Sequence, residues 1–206
     1  MATKQKISRL TDIAATHSAL DSPYLSKKSQ DWLRAKVGQL KNPAKMSRDI
    51  AAERERSKGR PSKGSLYFMQ YDPITKERLP YYDIFPLIIL LEIDGTHFTG
   101  LNLHYLPPRY RAIMLDMIMD RTNYSQNDEG DVVRFTNASK VLDVAKNHPI
   151  LKHCLKRYLI GQMQSKFLKV EPHEWETSLY LPVQQFQKAK TATVWADSLK
   201  SLKKGK

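Results

Sequence analysis

Cysteine is almost missing from this 206-residue chain; Cys154 is the only one. A single thiol cannot build an internal disulfide framework or a cysteine-rich zinc site. It stands beside His153, but neighbouring residues on a helix point in different directions, so a buried structural thiol is a simpler reading than a nucleophile pair. Long hydrophobic runs are missing too. No stretch reaches the roughly 18 apolar residues of a transmembrane helix. The opening residues, MATKQKISRL, contain no apolar core of a signal peptide. A chain that stays in the cytoplasm, or inside a particle assembled there, is the expectation. Neither GxxxxGK[ST] nor GxGxxG occurs, so neither standard phosphate loop is present. The histidines are scattered. His148 and His153 are five apart and His97 and His104 seven apart, and neither spacing makes a helical pair of ligands. No metal and no cofactor are expected.

Negative charge is also scarce, and its scarcity is local. The chain has 34 Lys/Arg against 21 Asp/Glu, a formal net charge of +13. Residues 1–64 hold 15 against 6, a net of +9. Residues 65–149 hold 8 against 11, a net of −3, and residues 150–206 hold 11 against 4, a net of +7. A uniformly basic globular protein would spread its excess, whereas here the excess belongs to the two ends. Such ends suit an anionic partner, nucleic acid first and an anionic membrane surface second. Charged ends also keep a protein soluble, but solubility does not require one sign of charge.

Hydrophobic residues make up 41% of the chain, enough for one core but lean for the full length, so part of the chain is expected outside it. Three segments follow: a basic helical arm and linker over 1–64, a central α+β domain over 65–181, and a basic C-terminal tail over 182–206. In the arm, helices are expected over 8–20, from Ser26 or Ser29 to Leu40, and over 44–58. Gly59 to Gly64 reads as a flexible basic linker. From Ser65 the texture changes. Leu66 to Tyr71 is rich in strand formers, and Phe85 to Ile93 is a nearly continuous apolar run, the mark of a strand buried on both faces. Asp94-Gly95 signals a hairpin, with His97 to Tyr105 as the return strand. Pro107-Pro108 opens a helix that runs to about Thr122. Asn123 to Gly130 reads as a polar loop and 138–145 as a helix. Residues 150–163 read as an amphipathic helix, 167–170 and 175–181 as short strands, and 183–188 as a short helix. The fold class expected is α+β: a small curled antiparallel β-sheet or SH3-like barrel, with flanking helices and basic extended arms.

Candidate binding residues follow from the charge. Lys27, Lys28, Arg34 and Lys36 lie in or just before a basic helix. Arg54, Arg56, Lys58, Arg60 and Lys63 form a run interleaved with glycine and proline. Each cation that neutralises a phosphate releases counterions, which gives affinity without sequence preference. A merely solvated face is the competing reading. Nothing resembles a zinc finger, homeodomain or basic zipper, so sequence-specific recognition is not expected. The aromatic cluster Tyr67, Phe68, Tyr71, Tyr81, Tyr82 and Phe85 could stack on bases, but a cluster of this kind more often forms a core and its rim. Tyr81, Tyr82, Asn102, His104 and Tyr105 are candidates for a partner-binding edge. Asn102 and His104 alternate with apolar neighbours, so one strand face would carry both. Gly100 would permit a bulge or a close backbone approach there. A nuclease would need carboxylates on adjacent strands, and Asp83, Glu92 and Asp94 are the candidates. No lysine lies between Lys76 and Lys140 to accompany them, so binding is expected rather than catalysis.

The stretch Leu79-Pro80-Tyr81-Tyr82-Asp83-Ile84-Phe85-Pro86-Leu87, followed by Phe98-Thr99-Gly100-Leu101-Asn102-Leu103-His104-Tyr105-Leu106, resembles the DNA end-protector (head-completion) proteins of T4-type tailed phages. Tyr67-Phe68, Tyr71-Asp72-Pro73 and Trp195-Ala196-Asp197-Ser198 fit the same pattern. The resemblance implies a non-enzymatic virion protein that sits on the ends of packaged double-stranded DNA and shields them from host exonuclease. It also implies contact with phage head or neck proteins, passage through the host cytoplasm during assembly, and no membrane partner. It brings no catalytic residues. The competing reading is a neck or baseplate assembly protein whose basic arms bind acidic neighbours.

Overall fold

The apolar run after Pro86 forms the central strand of the protein. In a computed structural model, residues 60–126, 128, 132–170, 175–180 and 183–203 are described. The arm helices expected within 8–58 lie outside them, as do Lys27, Lys28, Arg34, Lys36, Arg54, Arg56 and Lys58. Strand β1 is Leu66–Phe68, β2 Tyr82–Asp83, β3 Leu87–Asp94 and β4 His97–Asn102. Helix α1 is Pro108–Arg121, followed by β5 Tyr124–Gln126 and β6 Val132–Phe135. Next come α2 Ala138–Asn147, α3 Pro149–Cys154, β7 Leu155–Leu159 and β8 Leu168–Lys169. Helix α4 Trp175–Tyr180, β9 Phe186–Gln187 and α5 Thr191–Lys203 complete the order. Among the described residues no helix is long and apolar enough to cross a membrane.

The main sheet is antiparallel, in the order β7-β4-β3-β1-β8. Leu87 to Leu91 of β3 are all buried, and they alternate between two cores. Leu87, Ile89 and Leu91 face the larger core with α1, α2 and α3, while Ile88 and Leu90 join Tyr67, Met69, Tyr71, Phe98 and Tyr158 in the smaller one. The two-sided burial that the apolar run implies is therefore present. The Asp94-Gly95 turn is present too, with Gly95 at φ 45° and Asp94 paired to His97. Pro108 opens α1 at its first turn, where a missing N–H costs nothing. The ladder between β3 and β4 shifts register between Leu90 and Glu92. Gly100 sits there, where an added Cβ would meet Ile88 side-chain atoms at 3.0 and 3.1 Å. Beyond β7 the chain curls back: Tyr71 bridges Met163, and Gln164 N–H donates to the Gln70 carbonyl at 2.9 Å. Among the described residues no ladder joins β7 to β8, so the five-stranded sheet stays open and does not close into the expected barrel.

Several local expectations change. The helix expected over 150–163 stops at Cys154, and Leu155–Leu159 becomes the edge strand on β4. The pairing satisfies backbone groups that β4 would otherwise leave open, and that gain is invisible in a local helical period. Asn123 to Gly130 is not only loop, because Tyr124–Gln126 pairs with β6. Residues 175–180 are helix rather than strand, held by burial of Trp175 and Leu179, one helical turn apart. The helix expected over 183–188 is instead strand β9, paired with β2. Much of the basic tail is helix α5, whose Val194 and Ser198 are buried against the body.

The linker's end is also tied down. Gly64 N–H donates to the Leu90 carbonyl at 2.6 Å, and the Gly64 carbonyl accepts from Phe135 N–H at 2.9 Å. Ser62 N–H donates to the Tyr67 hydroxyl at 2.8 Å. Gly64 has φ 85°, and a Cβ there would lie 1.9 Å from the Phe135 carbonyl oxygen. Gly64→Ala should therefore cost about 2 kcal/mol or more, from backbone strain plus displacement of β6. Urea unfolding of the full chain checks this, and a loss under about 0.5 kcal/mol would contradict it.

A buried polar network beneath a candidate nucleic-acid interface

The short strand β2 carries Asp83 into the interior. The end of β4 supplies Asn102, and a 3₁₀ turn over Leu103–Tyr105 supplies His104. Asn102 caps that turn by accepting from His104 N–H at 3.0 Å. Asp83 Oδ2 and His104 Nδ1 lie 2.7 Å apart, and both side chains have 0% exposure. Asp83 Oδ1 accepts from the backbone N–H of Phe85 at 3.0 Å and of Gln185 at 3.1 Å. The Asn102 amide donates to Tyr158 Oη at 3.2 Å and reaches Asp83 Oδ2 at 3.5 Å. Trp195 Nε1–H of α5 donates to the His104 carbonyl at 2.9 Å.

The charge states follow from this environment. Burial opposes the Asp83 charge, but the His104 ring and two backbone N–H donors outweigh it and hold the carboxyl below its usual range. Burial pushes His104 below the usual imidazole range, against the pull of Asp83. At neutral pH the pair is thus carboxylate and neutral imidazole. A carboxylate only accepts, so Nδ1–H is the donor and Nε2 carries the free lone pair. That Nε2 is buried without a hydrogen-bond partner. An oriented imidazole of this kind is half of a general-base arrangement, yet the ring has no exposure through which a substrate could reach it. The arrangement acts as architecture.

Two cations stand close by. Arg111 is fully enclosed and donates to the carbonyls of Leu106 at 2.8 Å and Leu179 at 2.9 Å, and to Gln184 Oε1 at 3.1 Å. Burial lowers its guanidinium to about 9, so it stays charged at neutral pH. Lys156 of β7 sets its ammonium 4.0 Å from the centre of the Tyr105 ring. Burial lowers that ammonium as well. The Cys154 thiol is buried and pushed up to about 12, which makes it an inert packing group. Above the network lie Tyr81 and Phe186, both partly exposed, packed on buried Tyr105.

The segments that carry the sequence resemblance are thus brought together: Tyr81 and Asp83, Asn102 to Tyr105, and Trp195. A family model described as Phage T4 terminal DNA protecting protein matches residues 25–198. This chain belongs to that family. The match covers most of the chain and ends at Ser198, buried in α5. Comparisons with curated proteins and with solved structures returned no match.

The segments that carry the sequence resemblance therefore fall largely on interior residues. Asn102 and His104 do not share an exposed strand face. Asn102 is 1% exposed, and His104 has already left the strand for the 3₁₀ turn. Tyr105 is buried too, so the expected edge reduces to Tyr81 and Tyr82, which are partly exposed. Tyr67, Phe68, Tyr71 and Phe85 of the aromatic cluster are core residues. Arg60 and Lys63 are exposed at the root of the arm. The three carboxylates considered for a nuclease do not converge. Asp83 is committed to His104, whereas Glu92 and Asp94 are exposed at the far end of β3, where Asp94 accepts from Arg157 at 3.3 Å. Among the described residues no group of three His, Cys, Asp or Glu side chains could hold a metal ion. The sequence reading missed Arg111, Lys156, Tyr158 and Trp195 as members of the network. Arg111 offered a signal, since it lies on the apolar stripe with Met114, Leu115 and Ile118.

Asp83→Ala should cost about 3–5 kcal/mol in equilibrium unfolding, because it strands His104 and two buried N–H donors. The acid response has a defined sign. His104 is depressed, so the unfolded chain takes up a proton from below about pH 6.5 that the folded chain refuses. Asp83 is also depressed, so its contribution is present above about pH 3.9 and is lost as pH falls through its lower folded value. Stability should therefore fall between pH 7 and pH 5, with a slope of up to about 1.4 kcal/mol per pH unit from His104. A pH series of urea midpoints, with His104→Gln as the control that flattens this limb, provides the check.

Proposed function

We propose that this chain binds the ends of double-stranded DNA in a phage particle and shields them from exonuclease, without catalysing a reaction itself. The observation that carries the reading is the family match over residues 25–198. The charge partition supports the division of labour. The arm residues Lys27, Lys28, Arg34, Lys36, Arg54, Arg56, Lys58, Arg60 and Lys63 neutralise phosphates. Within the folded body, residues 65–149 carry a net −3 and are unsuited to be the main phosphate contact. Phage head or neck proteins dock on that body, and partly exposed Tyr82 belongs to the docking edge. The protein acts in the virion, after assembly in the host cytoplasm, and helps complete the filled head. Asp83, the carboxylate that a nuclease reading would need most, is enclosed and already paired, which favours protection over cleavage.

Binding to linear and to closed-circular duplex, titrated at several salt concentrations, tests this reading. The linear form should bind more tightly, and the logarithm of the binding constant should fall linearly with the logarithm of salt. Replacing Arg54, Arg56, Lys58, Arg60 and Lys63 together by Gln should reduce that slope by about 0.9 for each phosphate that is no longer neutralised. The same variant should leave a linear duplex open to exonuclease digestion. A salt-independent affinity would remove the phosphate mechanism, and equal affinity for both topologies would remove the preference for ends.

A further inference from the structure

One corner of the folded body joins Tyr81 and Tyr105 to residues of the basic 150–206 segment. Tyr81 precedes β2, Tyr105 ends the 3₁₀ turn and Phe186 lies on β9. Their ring centres are 6.0 Å apart for Tyr81 and Tyr105, 6.4 Å for Tyr81 and Phe186, and 5.1 Å for Tyr105 and Phe186. Tyr105 is buried and rests on the polar network, so it gives the two partly exposed rings a rigid floor. Cations surround this shelf. The Lys156 ammonium lies over Tyr105 at 4.0 Å, and among the described residues that ring, not a carboxylate, is its partner. Lys152, in the last turn of α3, is exposed and lies near Lys156 through His153, whose ring feels both charges. Helix α5 packs on α3 and brings Lys200 beside Tyr81. Asp197, the acid placed among these cations, is engaged by Lys200 at 2.7 Å, and the Lys200 side chain is 71% exposed.

We propose that the corner built from Tyr81, Tyr105, Phe186, Lys152, Lys156 and Lys200 is the seat for the terminal base pair of a DNA duplex and its last phosphates. This rests on the end-binding reading above and assigns the end preference to the folded body rather than to the N-terminal arm. Along its length a duplex offers phosphates and groove edges, and its base faces are covered by their neighbours. Only the terminus exposes the π-face of a base pair. The Tyr81 ring, with Phe186 edge-on to it at 82°, stacks on such a face whatever the sequence, while lysines beside it meet the flanking phosphates. Lysines alone would bind ends and interior alike. The combination with an exposed ring makes the site selective for termini.

The test uses the full chain, a blunt linear duplex with 2-aminopurine at its terminal position, and a closed circle of the same sequence. Wild type should quench the terminal fluorophore and prefer the linear form. Tyr81→Ala should lose the quenching and about tenfold of the linear preference, with affinity for the circle and its salt slope unchanged. Tyr81→Phe should keep both, because the ring remains. If Tyr81→Ala alters the melting profile, Lys200→Glu on the exposed face of α5 decides instead, with an expected loss of several-fold in linear preference alone. Full end preference and quenching in a folded Tyr81→Ala variant, or in Lys200→Glu where that variant decides, would overturn the seat while leaving end binding intact. A wild type that binds both topologies equally would overturn both.

Discussion

Asp83 and His104 meet at 2.7 Å with no solvent on either side chain, and the surrounding chain is arranged to make that tolerable. An isolated carboxylate in an apolar interior costs several kcal/mol even after relaxation. Here its lone pairs are occupied by the imidazole, by the N–H groups of Phe85 and Gln185, and more distantly by Asn102. Each donor comes from a different place in the chain. Phe85 fixes the step from β2 into β3. Gln185 draws the segment before β9 against β2. Asn102 and His104 set the corner where β4 gives way to the 3₁₀ turn, and the His104 carbonyl then holds Trp195 of α5. A change at Asp83 is therefore felt across residues more than 100 positions apart in sequence.

The same interior holds two cations with different roles. Arg111 donates to two carbonyls and a side-chain amide, so it works as a fixed clamp between α1, the end of α4 and the segment before β9. Its positive charge also favours the ionised form of Asp83 and the neutral form of His104. Lys156 is placed opposite Gly100 in the β4–β7 ladder and turns its ammonium onto an aromatic face. A cation over a ring has no carboxylate cancelling its charge. The structural network thus prepares its own surface, since the residues that stabilise the corner also set Tyr105 and the rings packed on it.

Strong local signals in the sequence survived into the fold. The apolar run of β3, the Asp94-Gly95 turn and the Pro108 helix start each depend on a few adjacent residues, and each appears as expected. Segments whose partners are distant did not. Leu155–Leu159 has apolar residues at helical spacing, and only the open edge of β4 makes it a strand. Phe186–Gln187 becomes a strand because Asp83 and β2 are beside it. Residues 191–203 read as part of a basic tail because 182–206 holds six lysines against one acid, Asp197, although Val194, Ser198 and Leu199 mark a packed stripe. Of the polar cluster, Asp83, Asn102 and His104 were picked out by their setting in distinctive motifs, but on the wrong side of the surface. Alternation along a strand shows which residues share a face and does not show which faces are covered.

The sequence by itself determined the class of partner and the family, because net charge, its division between the ends and the middle, and motif spelling are properties of residues in order. It also determined the elements whose stabilisation is local. Only the tertiary structure decided that the segments carrying the resemblance meet in a buried network and that the five-stranded sheet does not close. It also decided that Tyr81 and Tyr82, rather than Asn102 and His104, remain partly open to solvent. The physical reason lies in how hydrogen bonding and charge are satisfied in the interior. Burial of Asp83 is acceptable only with donors contributed from residues 85, 104 and 185, and no local pattern around any one of them announces the other two.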